Sequence, residues 1–303
     1  MASKSLDEAA DATGLVARVP YLALLRPGQW IKNAFVAAPL FFTPEAVSGA
    51  AAGRVGLGIV AFSLAASAVY IVNDLRDREA DRHHAEKRFR PLAAGTVSPG
   101  LAAALAFALA AAALALAAAL GVDVLVVVLA YLTLQVAYCF ALKRIAIVDV
   151  LAIAVGFVLR IFAGAAVIAV TPSAWIVVCA GLLALFLALG KRRDDLVREL
   201  DGDHRGSLAG YTLDYVDRAL TVTVAALLIA YLVYTTDAGV TARLGTDKLY
   251  LTALFVVAGV LRYLQIVIVE KRSGAPTQLV YRDRFLQGAV LGWLVTFAAL
   301  IYG

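Results

Sequence analysis

The sequence predicts an all-α polytopic membrane protein, with nine transmembrane helices in one bundle and a polar site on the cytoplasmic face. Three observations carry this. Of 303 residues, 62% are hydrophobic, and the mean hydropathy is +0.86. Charged residues make up 16%, against about 25% in soluble domains. Apolar runs of about 20 residues recur along almost the whole chain, and each can cross a hydrocarbon core as a helix. A soluble chain of this size could bury a large core, but not nine such runs. The runs are continuous rather than alternating, which argues against a β-barrel.

Taken in order, residues 1–20, MASKSLDEAADATGLVARVP, are polar and lack an apolar stretch. They are not a signal peptide and are expected to form a disordered or interfacial cytoplasmic tail. Residues 21–303 are then a single nine-helix domain. The spans are expected at 22–42, 54–74, 99–120, 122–141, 147–169, 173–190, 218–236, 248–268 and 285–302. The first includes RPGQWIKN, where Trp30 suits the bilayer interface. The third, LAAALAFALAAAALALAAAL, reads as a packing helix, since small residues let helices approach closely in lipid. Such Ala-rich faces also permit a homo-oligomer. Cys139 and Cys179 fall inside spans with no CxxC spacing, and read as packing residues. Two cations lie within spans, Arg160 in the fifth and Arg262 in the eighth. Arg262 is near enough to an end to snorkel. Arg160 is deeper, and an intramembrane ion is a functional candidate by default.

The loops after the second, fourth, sixth and eighth spans hold nearly all the Lys and Arg, so that side is cytoplasmic. The opposite side has only Arg54, Arg243 and Lys248. The N-terminus is then inside and the C-terminus outside. The net charge of +5 is mostly this asymmetry. It reflects topology and contact with membrane lipid, and no nucleic acid is expected as a partner.

Topology leaves the carboxylates unexplained, because Asp and Glu contribute little to orientation. The 73–91 loop, NDLRDREADRHHAEKRFRP, holds Asp74, Asp77, Glu79 and Asp81. The loop after the sixth span, GKRRDDLVRELDGDHRGSLAGYTLDYVDR, holds seven more. Asn73, Asp77 and Asp81 are spaced i, i+4, i+8, so on a continued helix they share one face. The outer two lie about 12 Å apart along the axis, too far for one ion to be gripped by all three. Oxygen-only donors suit Mg²⁺, which takes one or two carboxylates and fills its shell with water and substrate phosphate. The plain alternative is that Asp77 and Asp81 pair with Arg76, Arg78 or Arg82 at a solvated helix end. His83 and His84 lack the spacing and partners of a zinc site.

These residues carry a resemblance. NDLRDREAD fits ND-x-x-D-x-x-x-D, the first aspartate-rich motif of the UbiA-type intramembrane prenyltransferase superfamily. RPGQWIKN at 26–33, RPLAAGTVS at 90–98, YCFALKRIAIVDV at 138–150 and GFVLRIFAG at 156–164 join it. The resemblance covers nearly the whole chain and implies a UbiA-like bundle in the inner (plasma) membrane of a bacterium. One branch looks closest, that which moves 5-phosphoribose from phosphoribosyl diphosphate to decaprenyl phosphate, for arabinan and arabinogalactan precursors of the cell wall. The aromatic prenyltransferases carry a second DxxxD after the sixth span. Here KRRDDLVRE keeps an acidic i, i+4 pair in Asp195 and Glu199 but places three cations before it. The alternatives are an aromatic or haem polyprenyltransferase using a prenyl diphosphate, and a transporter. No convincing repeat of the kind transporters show is found.

What the resemblance implies for the site is as follows. Asn73, Asp77 and Asp81 are the catalytic metal-binding set for Mg²⁺. Lys32, Lys143, Arg160, Lys191, Arg192 and Arg193 take the lipid phosphate and the ribose phosphate. Asp149, Asp194, Asp195 and Glu199 complete the metal shell, hold these cations or bond ribose hydroxyls. For Asp149 a helix N-cap role is an equal alternative. Asp74, inside the first motif, and Lys87 and Arg90, just after it, join the substrate set. Asn33, Tyr138 and Tyr211 complete it, with interfacial anchoring as the other reading of Tyr138.

Overall fold

The computed structural model describes residues 20–84, 87–200, 210–270 and 276–303. Nearly all of the N-terminal tail, residues 1–19, lies outside them. The described residues are helical, with turns between. Among the described residues eight helices are long and apolar enough to cross a membrane: Gly49–Arg82, Pro99–Leu120, Val122–Phe140, Val148–Val167, Ala174–Val197, Leu213–Thr236, Leu249–Val269 and Arg284–Tyr302. Large apolar side chains such as Phe107, Val222 and Leu254 point outward, each at least 70% exposed. In water such surface would drive aggregation; in lipid it is the required exterior.

The expected first span differs. Residues 22–42 do not form one α-helix. Helix Pro20–Leu25 stops at Arg26, whose φ is +51°; a 3₁₀ stretch runs over Pro27–Ala37, and a short α-turn follows at Ala38–Phe41. Pro27 cannot donate to a continuing helix and disfavours the helical conformation in the residue before it. Eleven residues of 3₁₀ are unusual. The second span also differs, because Gly49–Arg82 is 34 residues, about 51 Å at 1.5 Å per residue. It outruns the bilayer core, and its surplus turns carry the aspartate row. The eighth span ends in a π-turn, Gln265–Val269.

The chain divides into two compact units. The first comprises 1–40, 48–141 and 159–170. Its core includes Val36, Phe62, Ala65, Ala113, Ala117, Val128, Tyr131 and Ala163. Ala102, Ala106, Ala113 and Ala117 of the Ala-rich helix are all buried, so that helix uses its small residues for close packing against Gly49–Arg82. Ser48 and Ser98 cap the two helices, accepting from Ala51 N at 3.1 Å and Leu101 N at 3.4 Å. Each cap contributes about 1 kcal/mol. Arg54 donates to the carbonyls of Leu120 (2.8 Å) and Val167 (3.0 Å). It therefore satisfies two helix C-termini at once, where a cation also favours the dipoles. Gly164 is required: a Cβ there would lie 1.9 Å from the Val36 carbonyl oxygen.

The second unit comprises 41–47, 142–158 and 171–303. Phe186, Leu189, Leu220, Val224, Val260, Tyr263 and Ile266 form its main core. A separate aromatic cluster joins Phe41, Phe42, Trp293 and Phe297. Beside it Trp293 Nε1 donates to Tyr231 Oη at 2.6 Å, and Tyr231 Oη bonds Thr252 Oγ1 at 2.7 Å.

Candidate functional site

The first unit holds the aspartate row. Helix propensity and the length of Gly49–Arg82 carry Asn73, Asp74, Asp77 and Asp81 on its last turns. Asp74 and Asp81 are each 3% exposed, which for a carboxylate demands partners. Arg26 Nη2 donates to Asp74 Oδ1 at 2.5 Å. Arg90 Nη1 donates both to Asp74 Oδ1 at 3.1 Å and to Asp81 Oδ2 at 2.7 Å. Lys87 Nζ lies 3.8 Å from Asp81 Oδ1. The plain alternative, pairing with neighbouring arginines, describes Glu79 instead. That exposed side chain takes Arg78 and Arg82, at 2.8 Å each. Arg76 stacks on the Phe140 ring, 5.2 Å to the centroid.

Asn73 and Asp77 are half-buried beside this network. Among the described residues no three His, Cys, Asp or Glu side chains converge as a closed metal site. The donors present are hard oxygens from one helix face. They fit a Mg²⁺ ion whose shell is completed by phosphate oxygens, and do not fit an ion held by protein alone.

A second feature of this unit is buried in the span region. Arg160 is 4% exposed. Its Nε donates to Asn33 Oδ1 at 2.8 Å, and Nη2 to Tyr131 Oη at 3.2 Å. The guanidinium also lies over the Tyr131 and Phe62 rings, 4.9 and 5.7 Å to their centroids, a favourable placement for a desolvated cation. Asn33 Nδ2 donates to Ser63 Oγ at 3.0 Å. The structure thus joins Arg160 to Asn33 across 127 residues of sequence. Trp30 is not only an interfacial anchor, since its Nε1 donates to Ser67 Oγ at 3.0 Å. Lys32 and Tyr138 are half-buried on Pro27–Ala37 and Val122–Phe140.

The second unit holds the other predicted cluster. Asp149 is 1% exposed and Arg192 8%. Asp149 Oδ2 accepts from Arg192 Nε at 2.6 Å, and Oδ1 accepts from Tyr211 Oη at 2.6 Å. Arg192 Nη1 donates to Asp195 Oδ2 at 2.9 Å, an i, i+3 pair on Ala174–Leu200. Both Asp149 oxygens therefore serve side chains, and the N-cap alternative for this residue is not what the structure shows. Burial first, and the Asp149 carboxylate next, raise the Tyr211 phenol pKa far above its usual value, so the hydroxyl stays a donor.

Arg193 points elsewhere. Its Nε donates to Asp217 Oδ1 at 2.6 Å and its Nη1 to the Val267 carbonyl at 2.8 Å. Lys191 is exposed, Asp194 half-buried and Lys143 half-buried on the turn Leu142–Arg144. Glu199 lies on the same helix as Arg192, but its side chain is outside the described residues. Arg262 does not simply snorkel. It donates to Asp283 Oδ2 and to Glu270 Oε1, both at 2.6 Å.

Sequence reasoning assigned no role to Arg26, although RPGQWIKN contains it, nor to Tyr131, which sits in an apolar run. Nothing local marks either. Their partners, Asp74 and Arg160, are 48 and 29 residues away.

Comparisons with known proteins agree with this layout. The profile of the UbiA prenyltransferase family matches residues 30–299. The decaprenyl-phosphate phosphoribosyltransferase of Mycolicibacterium smegmatis is 35% identical over 290 residues, covering 92% of this chain and 91% of that one. Its counterpart in Corynebacterium glutamicum is also 35% identical, covering 92% and 85%. Among solved structures, a UbiA homolog from Archaeoglobus fulgidus bound to DMAPP and Mg²⁺ aligns with a TM-score of 0.69 at 22% identity, covering 93% of this chain and 99% of that one. That likeness concerns the fold. With the family profile spanning residues 30–299 and 35% identity to a relative over nine-tenths of both chains, the chain belongs to the UbiA prenyltransferase family.

Proposed function

We propose that this protein transfers 5-phosphoribose from phosphoribosyl diphosphate to decaprenyl phosphate in the membrane. The observation that carries the reading is 35% identity, over nine-tenths of both chains, to an enzyme named for that lipid and that transfer. The buried arginines support it. Arg forks onto phosphate oxygens, and the donor brings both a diphosphate and a further phosphate.

The bond from the anomeric carbon to the diphosphate oxygen breaks, and a lipid-phosphate oxygen takes its place. The electron pair leaves with diphosphate, and no net proton moves. The lipid phosphate is already an anion, so the site needs no strong general base. It needs positioning, and cations that do not overstabilise the ground state. Asn73, Asp77 and Asp81 would hold Mg²⁺, which when bound neutralises charge growing on the departing diphosphate. Arg26 and Arg90 hold the Asp74 carboxylate, and Arg90 and Lys87 that of Asp81, so both are fixed in orientation. Lys32, Asn33, Tyr138, Lys143, Arg160, Lys191 and Arg192 bind substrate. Arg193 and Asp194 stay in the set as supports of that helix end, and Asp149, Asp195 and Tyr211 set Arg192.

In this reading the protein sits in the bacterial inner membrane as a single nine-crossing domain. Its N-terminus and polar site face the cytoplasm, and its C-terminus lies outside. The product would feed arabinan precursors of the cell wall.

The test is direct. Purified protein with Mg²⁺ and decaprenyl phosphate receives labelled phosphoribosyl diphosphate, and label is sought in the organic phase, with Asp77→Ala as control. Label that moves with the unmodified protein alone supports both the transfer and the metal role. No movement, together with reaction of a prenyl diphosphate and a hydroxybenzoate, would replace the reading with aromatic prenyl transfer.

A further inference from the structure

Ile147 precedes helix Val148–Val167 with φ +72°. A β-branched residue in the left-handed region is a true outlier. It persists only where its surroundings over-determine it, and such strain clusters at functional sites. Two bonds hold it. Its carbonyl accepts from Leu151 N at 3.0 Å, and its N–H donates to Tyr211 Oη at 2.7 Å. The neighbouring Gly210 has φ +111°, and a Cβ there would meet Ala146 Cβ at 3.0 Å. Glycine therefore lets the chain bring Tyr211 against Ile147.

From that point one buried line of bonds runs to Asp195. An N–H cannot accept, so the Tyr211 hydroxyl has one sense only. It accepts from Ile147 and gives its single proton to Asp149 Oδ1. That leaves Asp149 Oδ2 for Arg192 Nε, and Arg192 Nη1 reaches Asp195. Tyr211 is 6% exposed and its ring lies 6.0 Å from that of Tyr215, tilted by 43°, contacts that a phenyl ring would keep. The hydroxyl thus has a task that packing does not explain.

We propose that Tyr211 is a positioning residue for Arg192, acting through Asp149: by occupying one carboxylate oxygen it turns the other onto Nε and sets the plane of the guanidinium. This rests on the function proposed above, in which Arg192 binds substrate, and takes its ligand to be a phosphate of the donor. Removing the hydroxyl leaves Asp149 free to rotate and the Ile147 N–H without its acceptor.

The experiment uses full-length protein in detergent and four forms: unmodified, Tyr211→Phe, Asp149→Asn and the double variant. The probe is inorganic diphosphate with Mg²⁺, measured by calorimetry, alongside steady-state transfer and thermal unfolding. Tyr211→Phe should weaken diphosphate binding and raise the donor KM by about tenfold, the equivalent of one charge-assisted hydrogen bond from a mis-set Arg192. The decaprenyl-phosphate KM should stay roughly unchanged, and the melting temperature should fall by no more than a few degrees, because the Ile147 N–H loses its acceptor. The double variant should bind no more weakly than Asp149→Asn alone, because both act on one line of contacts. Unchanged diphosphate affinity in Tyr211→Phe overturns the proposal, and so do losses that multiply in the double variant. Should Tyr211→Phe fail to fold, Asp149→Asn decides. Its amide would set a donor against Arg192, so full diphosphate affinity in that folded variant also overturns it. If the diphosphate pattern appears while the unmodified protein moves no phosphoribose, the positioning role stands and only the donor assignment falls.

Discussion

Gly164→Ala isolates how packing supports the site of the first unit. The added Cβ would lie 1.9 Å from the Val36 carbonyl oxygen, 2.9 Å from its carbon and 3.1 Å from Pro39 Cδ. Ordinary contact begins near 3.4 Å, so backbone must separate by about 1.5 Å, because a carbonyl has no rotamer with which to retreat. Overpacking of this kind costs typically 1–3 kcal/mol and sometimes more; with rigid backbone on one side we expect about 3. For a chain of this size that is a fall of roughly 6 °C or more in melting temperature. The displacement runs between the helix that carries Arg160 and the 3₁₀ stretch that carries Asn33. Their 2.8 Å bond cannot survive a shift of that size, given the steep loss of hydrogen bonding with distance. Buried Arg160 would lose a charge-assisted partner, about 1.5–3 kcal/mol, and transfer should fall at least about tenfold. The assays are thermal unfolding in detergent and the labelled transfer reaction. A Gly164→Ala protein with the parent melting temperature and the parent rate would refute the close-approach argument.

Other outcomes test separate parts of the structure. Asp77→Ala should abolish transfer with little change in melting temperature, and EDTA should stop the unmodified enzyme until Mg²⁺ is restored; residual normal turnover in either case removes the metal argument. Asp81→Ala should both inactivate and destabilise, by about 1–3 kcal/mol, because it leaves Arg90 and Lys87 beside an empty place; a purely kinetic effect would contradict the buried pairing. Arg193→Ala should lower stability by about 2 kcal/mol, discounted for the partial exposure of Asp217, and leave the donor KM nearly unchanged, whereas Arg192→Ala should raise it; thermal melts and donor titrations separate the two. Asp283 is held below the usual carboxylate range, first by its bonds from Arg262, with Leu286 N adding to them. A depressed folded-state pKa means the stabilisation is present above the unfolded value, near 4, and is lost as pH falls through the folded one. Melts between about pH 6 and pH 3 should show a decline that Asp283→Asn removes; identical slopes would show that this pair is not a source of acid sensitivity.

Much of this was legible in the sequence because it depends on local terms. Twenty-residue apolar runs have few options in lipid other than helices, since every backbone polar group must be paired within the segment. The i, i+4, i+8 spacing puts Asn73, Asp77 and Asp81 on one face whenever that helix continues, and it does. The alanine run packs as small residues should. The clustering of Arg with Asp at KRRDD was visible as a pattern of charge.

The partners were not legible. Adjacent sequence suggested that Arg78 and Arg82 would serve the aspartate row, yet they go to Glu79, while Arg26 and Arg90 arrive from other elements. KRRDD reads as three equivalent cations, and only the tertiary contacts divide Arg192, set between Asp149 and Asp195, from Arg193, clasped by Asp217 and a backbone carbonyl. Apolar periodicity could not distinguish an α-helix at 22–42 from the 3₁₀ stretch observed, because the break lies in the Arg26–Pro27 backbone and in the room that Gly164 leaves for Val36. Amino-acid type determined which segments are helices and where charge collects. Which carboxylate meets which guanidinium was decided by packing between residues tens of positions apart, because a buried charge takes whichever partner the fold brings within reach.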